Sequence, residues 1–179
     1  LIPCHKIIED SLNIQCKIAT ISGPTFAKEV ATKMPSALLA ASKSTNTAKI
    51  IQKMFSSNNM KVFTSTDIMG VEIGGALKNV IAIATGICDG LNLGANTRAA
   101  LVSRGLVEIA SIGTGMGAKP ETFYGLSGLG DLILTCNSLK SRNTNFGKKI
   151  ANTKFENYED KPIPMIQNHN SDFNINLFS

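Results

Sequence analysis

The sequence predicts an α/β unit over residues 1–66 followed by an all-helical unit over residues 67–151. In the first unit, short apolar runs of strand length alternate with segments of helical period, an order typical of α/β sheet domains. After Thr66 every periodic segment is helical. The chain is 43% apolar and 17% charged, which suits a folded core and excludes a charge-rich disordered chain.

The α/β unit contains three predicted strands with helices before and between them. The strands are a β-branched run that ends at Gly23-Pro24 and two further short runs, covering residues 17–22, 36–42 and 61–64. The helices cover residues 6–12, 25–33 and 45–55. No glycine-rich strand-to-helix turn precedes these elements, so we expect residues 1–66 to be the last part of a sheet domain.

The helical unit opens with a long helix that Asp67 caps and Gly90 ends. Further helices are predicted over residues 97–112, 120–124, 131–136 and 142–150, with a glycine-rich turn over residues 125–130. Residues 152–179 hold six of the sixteen asparagines and no sustained period, so we expect this segment to be poorly ordered.

Charge and composition exclude several classes of partner. The net charge is +5, but the lysines are scattered, and the only adjacent pair, Lys148-Lys149, has no interleaved aromatic residue to stack bases, so nucleic-acid binding is not expected. No window reaches 18 uncharged apolar residues, and the best candidate, Val80–Cys88, has nine, which is too short for a bilayer span.

The cysteines and histidines predict no metal site, because no C-x-x-C spacing occurs and His5 and His169 lie at opposite ends of the chain. Four dispersed thiols without a signal segment suggest a reducing, cytoplasmic setting. Cys88 and Cys136 are interpreted as small buried residues.

Gly113, Gly115 and Ala118 spell the relaxed dinucleotide fingerprint G-x-G-x-x-A. That fingerprint requires a strand before it and a helix after it. Here a helical period precedes it and Pro120 follows it, so we interpret it as a helix end.

Lys78 is the first candidate for chemistry. It lies among apolar residues next to Gly74, Gly75 and Ala76. Desolvation there would lower the pKa of its ammonium group and make it a proton acceptor. The alternative is an ordinary helix lysine whose stem covers an apolar face.

Three other segments could bind a ligand. Gly125–Leu132, followed by Thr135, offers backbone N–H groups at a helix start, although Asp131 could simply be a cap. Ser141-Arg142-Asn143 combines a bidentate cation with neutral donors and suits a phosphate; a surface loop is the alternative. Ser22–Ala27 follows the carboxyl end of a predicted strand, where ligands bind in open α/β sheets, or is a plain turn.

In this order, the four segments resemble NAD(P)-dependent glycerol-3-phosphate dehydrogenase of the bacterial type. The resemblance covers most of the chain from Ile18 to about Ile150. The matching stretches are ISGPTFAKEVATKMPSALLAAS, VEIGGALKNVIAIATGICDGLNLGANTRAALVSRGLVEI and FYGLSGLGDLILTCNSLKSRNTNFGKKI. It implies that residues 1–66 are the carboxy-terminal part of a Rossmann-type domain. Residues 67–151 would then form the helical substrate domain.

The resemblance also implies roles for individual residues. Lys78 would be the general base that takes the C2 hydroxyl proton of sn-glycerol 3-phosphate, and Asn79, Asp131 and Thr135 would orient it and the substrate. The resemblance implies that the substrate also contacts Gly23, Thr25, Ser141, Arg142 and Asn143. It implies that the cofactor, NAD or NADP, contacts Ala27 and Arg142.

The family's upstream glycine-rich loop and cofactor-contacting lysine are absent from these 179 residues, and Ile166 and Asn168 stand near where a Glu-bearing segment is expected. Two alternatives therefore stay open: a non-catalytic remnant that binds phosphate ligands weakly, and another two-domain dehydrogenase of the 3-hydroxyacid type. By resemblance the protein would act in phospholipid synthesis, in the cytoplasm, and could pair as a homodimer.

Overall fold

The computed structural model describes residues 2–12, 16–138 and 140–154. Most of the tail predicted to be poorly ordered, including Ile166 and Asn168, lies outside these residues. The predicted fold class is confirmed: a small α/β unit precedes an all-helical unit. The elements are α1 (Cys4–Ser11), β1 (Thr20–Ser22), α2 (Ala27–Ala31), β2 (Ser36–Ala41), α3 (Thr45–Phe55), β3 (Met60–Ser65), α4 (Ile68–Gly90), α5 (Gly94–Gly115), α6 (Pro120–Phe123), α7 (Asp131–Asn137) and α8 (Arg142–Lys154).

The sheet has the order β1-β2-β3, with β2 at its centre. β2 pairs with β3 in parallel, placing Leu38 beside Val62, whereas β1 pairs with β2 antiparallel, placing Ile21 beside Ala40. The carboxyl end of β1 therefore lies at the opposite edge of the sheet from the carboxyl ends of β2 and β3. The reason given above for a ligand site at Ser22–Ala27, a shared carboxyl edge, does not hold in the structure.

Alternate residues of β2 serve two cores, because successive side chains of a strand point to opposite faces. Leu38 and Ala40 pack with Val62 on the face next to α3. Ala41 packs on the other face with Ile68 and Val71, which begin α4. A larger core in the helical unit joins α4 to α5, α6 and α7.

α4 is the central helix of the described structure. As predicted, Asp67 caps it, since its Oδ1 accepts the Gly70 N–H at 3.0 Å. The whole of α4 is long and apolar enough to cross a membrane, whereas the shorter run Val80–Cys88, considered alone in the sequence, was too short to do so. In the structure α4 packs against β1, α5, α7 and α8, and nine of its residues are buried.

α8 lies unusually close to α4, and glycines make this approach possible. A Cβ on Gly86 would lie 2.0 Å from the carbonyl oxygen of Thr144, and one on Gly147 would lie 2.0 Å from that of Ile83. These distances are far below van der Waals contact. The two glycines therefore set the position of α8, whose first residues carry the Ser-Arg-Asn segment.

The region predicted to be a glycine-rich turn before α7 is helical. Leu126–Gly130 forms a π-helical turn that runs directly into α7. Gly128 is required there, because a Cβ would lie 2.1 Å from the carbonyl oxygen of Phe123. The fingerprint-like Gly113 and Gly115 lie in the last turn of α5, and Gly113 packs against the ring of Phe123.

Candidate active site

An open crevice of about 710 Å³ lies between the β1–α2 segment and the helices α4, α7 and α8. Nine of the ten residues singled out from the sequence line this one crevice: Gly23, Thr25, Ala27, Lys78, Asp131, Thr135, Ser141, Arg142 and Asn143. The tenth, Asn79, is not part of the lining. Residues from four separate stretches of sequence are thus brought to a single site.

Lys78 projects from α4 into the crevice and forms an ion pair with Asp131 of α7. The Lys78 side chain is 19% exposed and that of Asp131 is 7% exposed. The ammonium group therefore faces a buried carboxylate rather than apolar surroundings or bulk solvent. A charge pair at the wall of a crevice can hold a proton at a defined position next to a bound molecule.

α7 holds Asp131 in place through its own hydrogen bonds and through the π-helical turn. The Thr135 hydroxyl donates to the Asp131 carbonyl at 2.6 Å, and the same oxygen lies 3.4 Å from Asp131 Oδ1. Asp131 does not cap its helix, which was the alternative interpretation, because the helix already begins at the π-helical turn. Its carboxylate is thereby left for Lys78.

The first residues of α8 form the opposite wall of the crevice. Asn143 Nδ2 donates to Asn79 Oδ1 at 2.7 Å, and Asn79 Nδ2 donates to the Gly75 carbonyl at 3.3 Å. Asn79 therefore joins α8 to α4, and no bond from it to Lys78 is present among the described residues. Arg142 is exposed at the rim and has no hydrogen bond or ion pair within the described part of the chain.

The crevice is cationic. Its lining holds four basic side chains, Lys28, Lys78, Lys140 and Arg142, and one carboxylate, that of Asp131. Lys140 also pairs with Glu29 at 2.9 Å across the crevice rim. A wall of this kind attracts phosphate-bearing ligands.

Sequence reasoning missed Lys28 and Lys140. Each stands next to a residue that was singled out, Lys28 after Ala27 and Lys140 before Ser141. That adjacency was a usable signal, since a lysine next to a phosphate-type segment adds charge at little cost. The sequence analysis considered the lysines only together, as a scattered surface charge.

Gly23 ends β1 with a backbone that only glycine adopts readily. Its φ is 149°, and a Cβ would lie 2.9 Å from the Leu38 Cα. The chain therefore turns tightly against β2 and brings Thr25 and Ala27 to the crevice. The Thr25 hydroxyl donates to the Gly23 carbonyl at 3.2 Å, which fixes this turn.

The donor set of the crevice suits an anion, because basic side chains outnumber carboxylates in its lining. No group of three or more His, Cys, Asp or Glu side chains that could hold a metal occurs among the described residues. Arg142, which has no partner among the described residues, and the exposed Lys28 next to Ala27 can both contact a bound anion.

Two family models match the chain. The model for the NAD-dependent glycerol-3-phosphate dehydrogenase C-terminus matches residues 67–169, and the model for the N-terminus of the same family matches residues 3–48. The first match extends the likeness beyond Ile150, the limit that we inferred from the sequence.

Curated relatives carry the name glycerol-3-phosphate dehydrogenase [NAD(P)+]. The protein of Geobacter sulfurreducens is 55% identical over 133 residues, which are 74% of this chain and 40% of that protein. The protein of Hydrogenovibrio crunogenus is 49% identical over 150 residues, or 84% of this chain and 44% of that protein. The chain thus spans less than half the length of these relatives.

A solved structure gives the same result. The crystal structure of glycerol-3-phosphate dehydrogenase from Coxiella burnetii superposes with a TM-score of 0.80 at 43% identity. The superposition covers 83% of this chain and 46% of that one.

Proposed function

The chain belongs to the NAD-dependent glycerol-3-phosphate dehydrogenase family, and we propose that its crevice is the substrate site for interconverting sn-glycerol 3-phosphate and dihydroxyacetone phosphate. The observation that carries this proposal is the Lys78–Asp131 pair in a crevice with a cationic rim. Besides a hydride carrier, this reaction needs an acid–base group at the reacting carbon and hydrogen-bond donors for the substrate phosphate.

The substrate phosphate binds at the start of α8. Ser141 and Asn143 offer neutral donors, and Arg142 offers a guanidinium group that no other described side chain engages. Arginine binds phosphate through two parallel N–H bonds. These contacts would place the three-carbon chain of the substrate along the crevice toward Lys78.

Lys78 transfers the proton at the C2 oxygen. In the reducing direction its ammonium group, as the ion pair presents it, donates a proton to that oxygen. In the oxidising direction the neutral amine accepts the hydroxyl proton. Asp131 holds Nζ in position in both directions, and Thr135 holds Asp131.

Ala27, Lys28 and Arg142 would hold the cofactor at the open side of the crevice. When bound, NAD or NADP supplies the hydride acceptor for oxidation and the hydride donor for reduction. We further propose a cytoplasmic setting, which the four free cysteines support.

The test follows the oxidation of NADH and of NADPH by the purified protein with dihydroxyacetone phosphate. Lys78→Ala should lower kcat by about 10²-fold or more, the usual size for a lost general acid or base. Arg142→Ala should act mainly on KM, because its contact is the same in the ground and transition states. Lys149→Ala, an exposed lysine of α8 outside the crevice, is the matched control and should change neither constant.

Two results would contradict the proposal. One is a Lys78→Ala variant with near-normal kcat. The other is a protein that oxidises 3-hydroxyisobutyrate but not glycerol 3-phosphate, which would favour the 3-hydroxyacid class.

A further inference from the structure

We infer that Thr144, a buried residue outside the crevice lining, is a positioning residue that couples phosphate binding at Ser141 to the Lys78–Asp131 pair. This inference rests on the proposed function, because it takes the start of α8 as the phosphate site. Thr144 is 4% exposed, and Ser141 is equally buried. It is the third residue of α8 and faces α7.

Thr144 is bonded to both sides of the site. Its hydroxyl donates to the Thr135 carbonyl at 2.9 Å and lies 3.1 Å from the Ser141 hydroxyl. Its backbone N–H donates to the Ser141 hydroxyl oxygen at 3.2 Å. The Thr135 hydroxyl in turn donates to the Asp131 backbone carbonyl. Ser141 is therefore linked to Asp131, the partner of Lys78, by two sets of hydrogen bonds that the covalent frame of Thr135 joins.

The proton count gives these hydrogen bonds a direction. A hydroxyl group has one proton to donate. A carbonyl can only accept, so the Thr144 proton goes to Thr135. The bond between the two hydroxyl groups therefore uses the Ser141 proton, which points at Thr144 and away from the crevice.

A phosphate oxygen in the crevice needs that same proton. When Ser141 turns its hydroxyl to the ligand, Thr144 loses one donor but keeps its bond to Thr135. Loss of the Ser141 donor changes the polarisation and position of the Thr144 hydroxyl, and the bond that remains passes this change to the backbone of Thr135. Phosphate binding should therefore change the hydrogen-bonding surroundings of Thr135 and Asp131, although neither residue needs to contact the phosphate.

The alternative is that Thr144 only fills space between α7 and α8. Valine has the same shape without the hydroxyl, and serine keeps the hydroxyl without the methyl group. The pair Thr144→Val and Thr144→Ser therefore separates the hydroxyl from the packing.

The experiment titrates the 179-residue chain with inorganic phosphate at constant pH and follows the backbone amide signals of Ser141 and Thr135 by NMR. In the unsubstituted chain both signals should move with one dissociation constant. In Thr144→Val the phosphate affinity should rise by up to about tenfold, because Ser141 no longer shares its proton with Thr144 and one net hydrogen bond is worth about 1 kcal/mol. The Thr135 signal should stop responding while the Ser141 signal still moves. Thr144→Ser should stay within about twofold of the unsubstituted chain and keep both responses.

Several results would overturn the inference. The first is a Thr135 signal that stays fixed while phosphate saturates Ser141 in the unsubstituted chain. The second is a Thr144→Val variant that keeps both responses. The third is a Thr144→Ser variant that behaves like Thr144→Val. The first needs no substitution and so does not depend on the folding of a variant. None of the three affects the proposed reaction, whereas absence of any phosphate response at Ser141 would refute the proposed phosphate site as well.

Discussion

Replacing Gly86 with alanine tests whether the contact between α4 and α8 sets the geometry of the crevice. The new Cβ would lie 2.0 Å from the Thr144 carbonyl oxygen, 2.8 Å from its carbonyl carbon and 3.0 Å from the Lys148 nitrogen. All three are backbone atoms of α8, so no side chain can rotate away. The helices must separate locally by about 1 Å to restore even a tight contact.

The expected loss of stability follows from two opposing terms. Overpacking against rigid neighbours costs about 1–3 kcal/mol, and two backbones in contact place this site at the upper end. Alanine gains about 1 kcal/mol over glycine in a helix interior. The net loss in the free energy of unfolding should therefore be about 2 kcal/mol.

Gly75→Ala is the matched control because it lies on the same helix. Its Cβ would meet only the Ser22 hydroxyl at 3.5 Å, an ordinary contact, so this variant should be more stable by up to ~1 kcal/mol. Urea denaturation followed by circular dichroism measures both free energies of unfolding. If Gly86→Ala were as stable as Gly75→Ala, α8 would not be seated on α4 as described.

The other expectations concern two buried cysteines and one half-buried arginine. Burial raises the pKa of the Cys88 and Cys136 thiols, so iodoacetamide at pH 8 should label the two exposed thiols near the amino terminus and reach these two only in urea. The folded state disfavours the thiolate forms of Cys88 and Cys136. Their contribution to the free energy of unfolding should therefore be complete below about pH 8.5 and fall as the pH rises above it. An unfolding free energy that rose through that range would contradict this expectation. Arg98→Ala should lower the free energy of unfolding by about 1.5–3 kcal/mol, because Arg98 pairs with Asp89 and donates to the Cys136 carbonyl. Arg104→Ala, at an exposed position of the same helix, should change it by less than about 0.5 kcal/mol, and equal effects of the two would refute the role of Arg98.

Local signals predicted much of the secondary structure. α3 spans the predicted residues Thr45–Phe55, because the Ser44 side chain caps it and its apolar spacing is regular. α4 begins after the predicted cap, Asp67, for the same reason. Capping groups and period are encoded within a few neighbouring residues, so one sequence is enough to read them.

Features that depend on distant residues could not be read in this way. The residues of β1 do not predict that the strand runs antiparallel to β2, because strand direction is set by the path of the chain between the two strands. The π-helical turn depends on Phe123 lying against Gly128. Lys78 and Asp131 are 53 positions apart, so their pairing followed only from the family resemblance and not from spacing.

α4 contributes to two apolar cores at once, and this has a consequence for how the chain unfolds. Ile68 and Val71 pack with Ala41 of the sheet, whereas Ile73 and Ala82, further along the same helix, pack among the other helices. A helix so shared cannot lose one set of contacts without weakening the other. The change of pattern after Thr66 therefore divides two kinds of secondary structure but not two independent folding units, and the whole described chain is expected to melt as one cooperative transition.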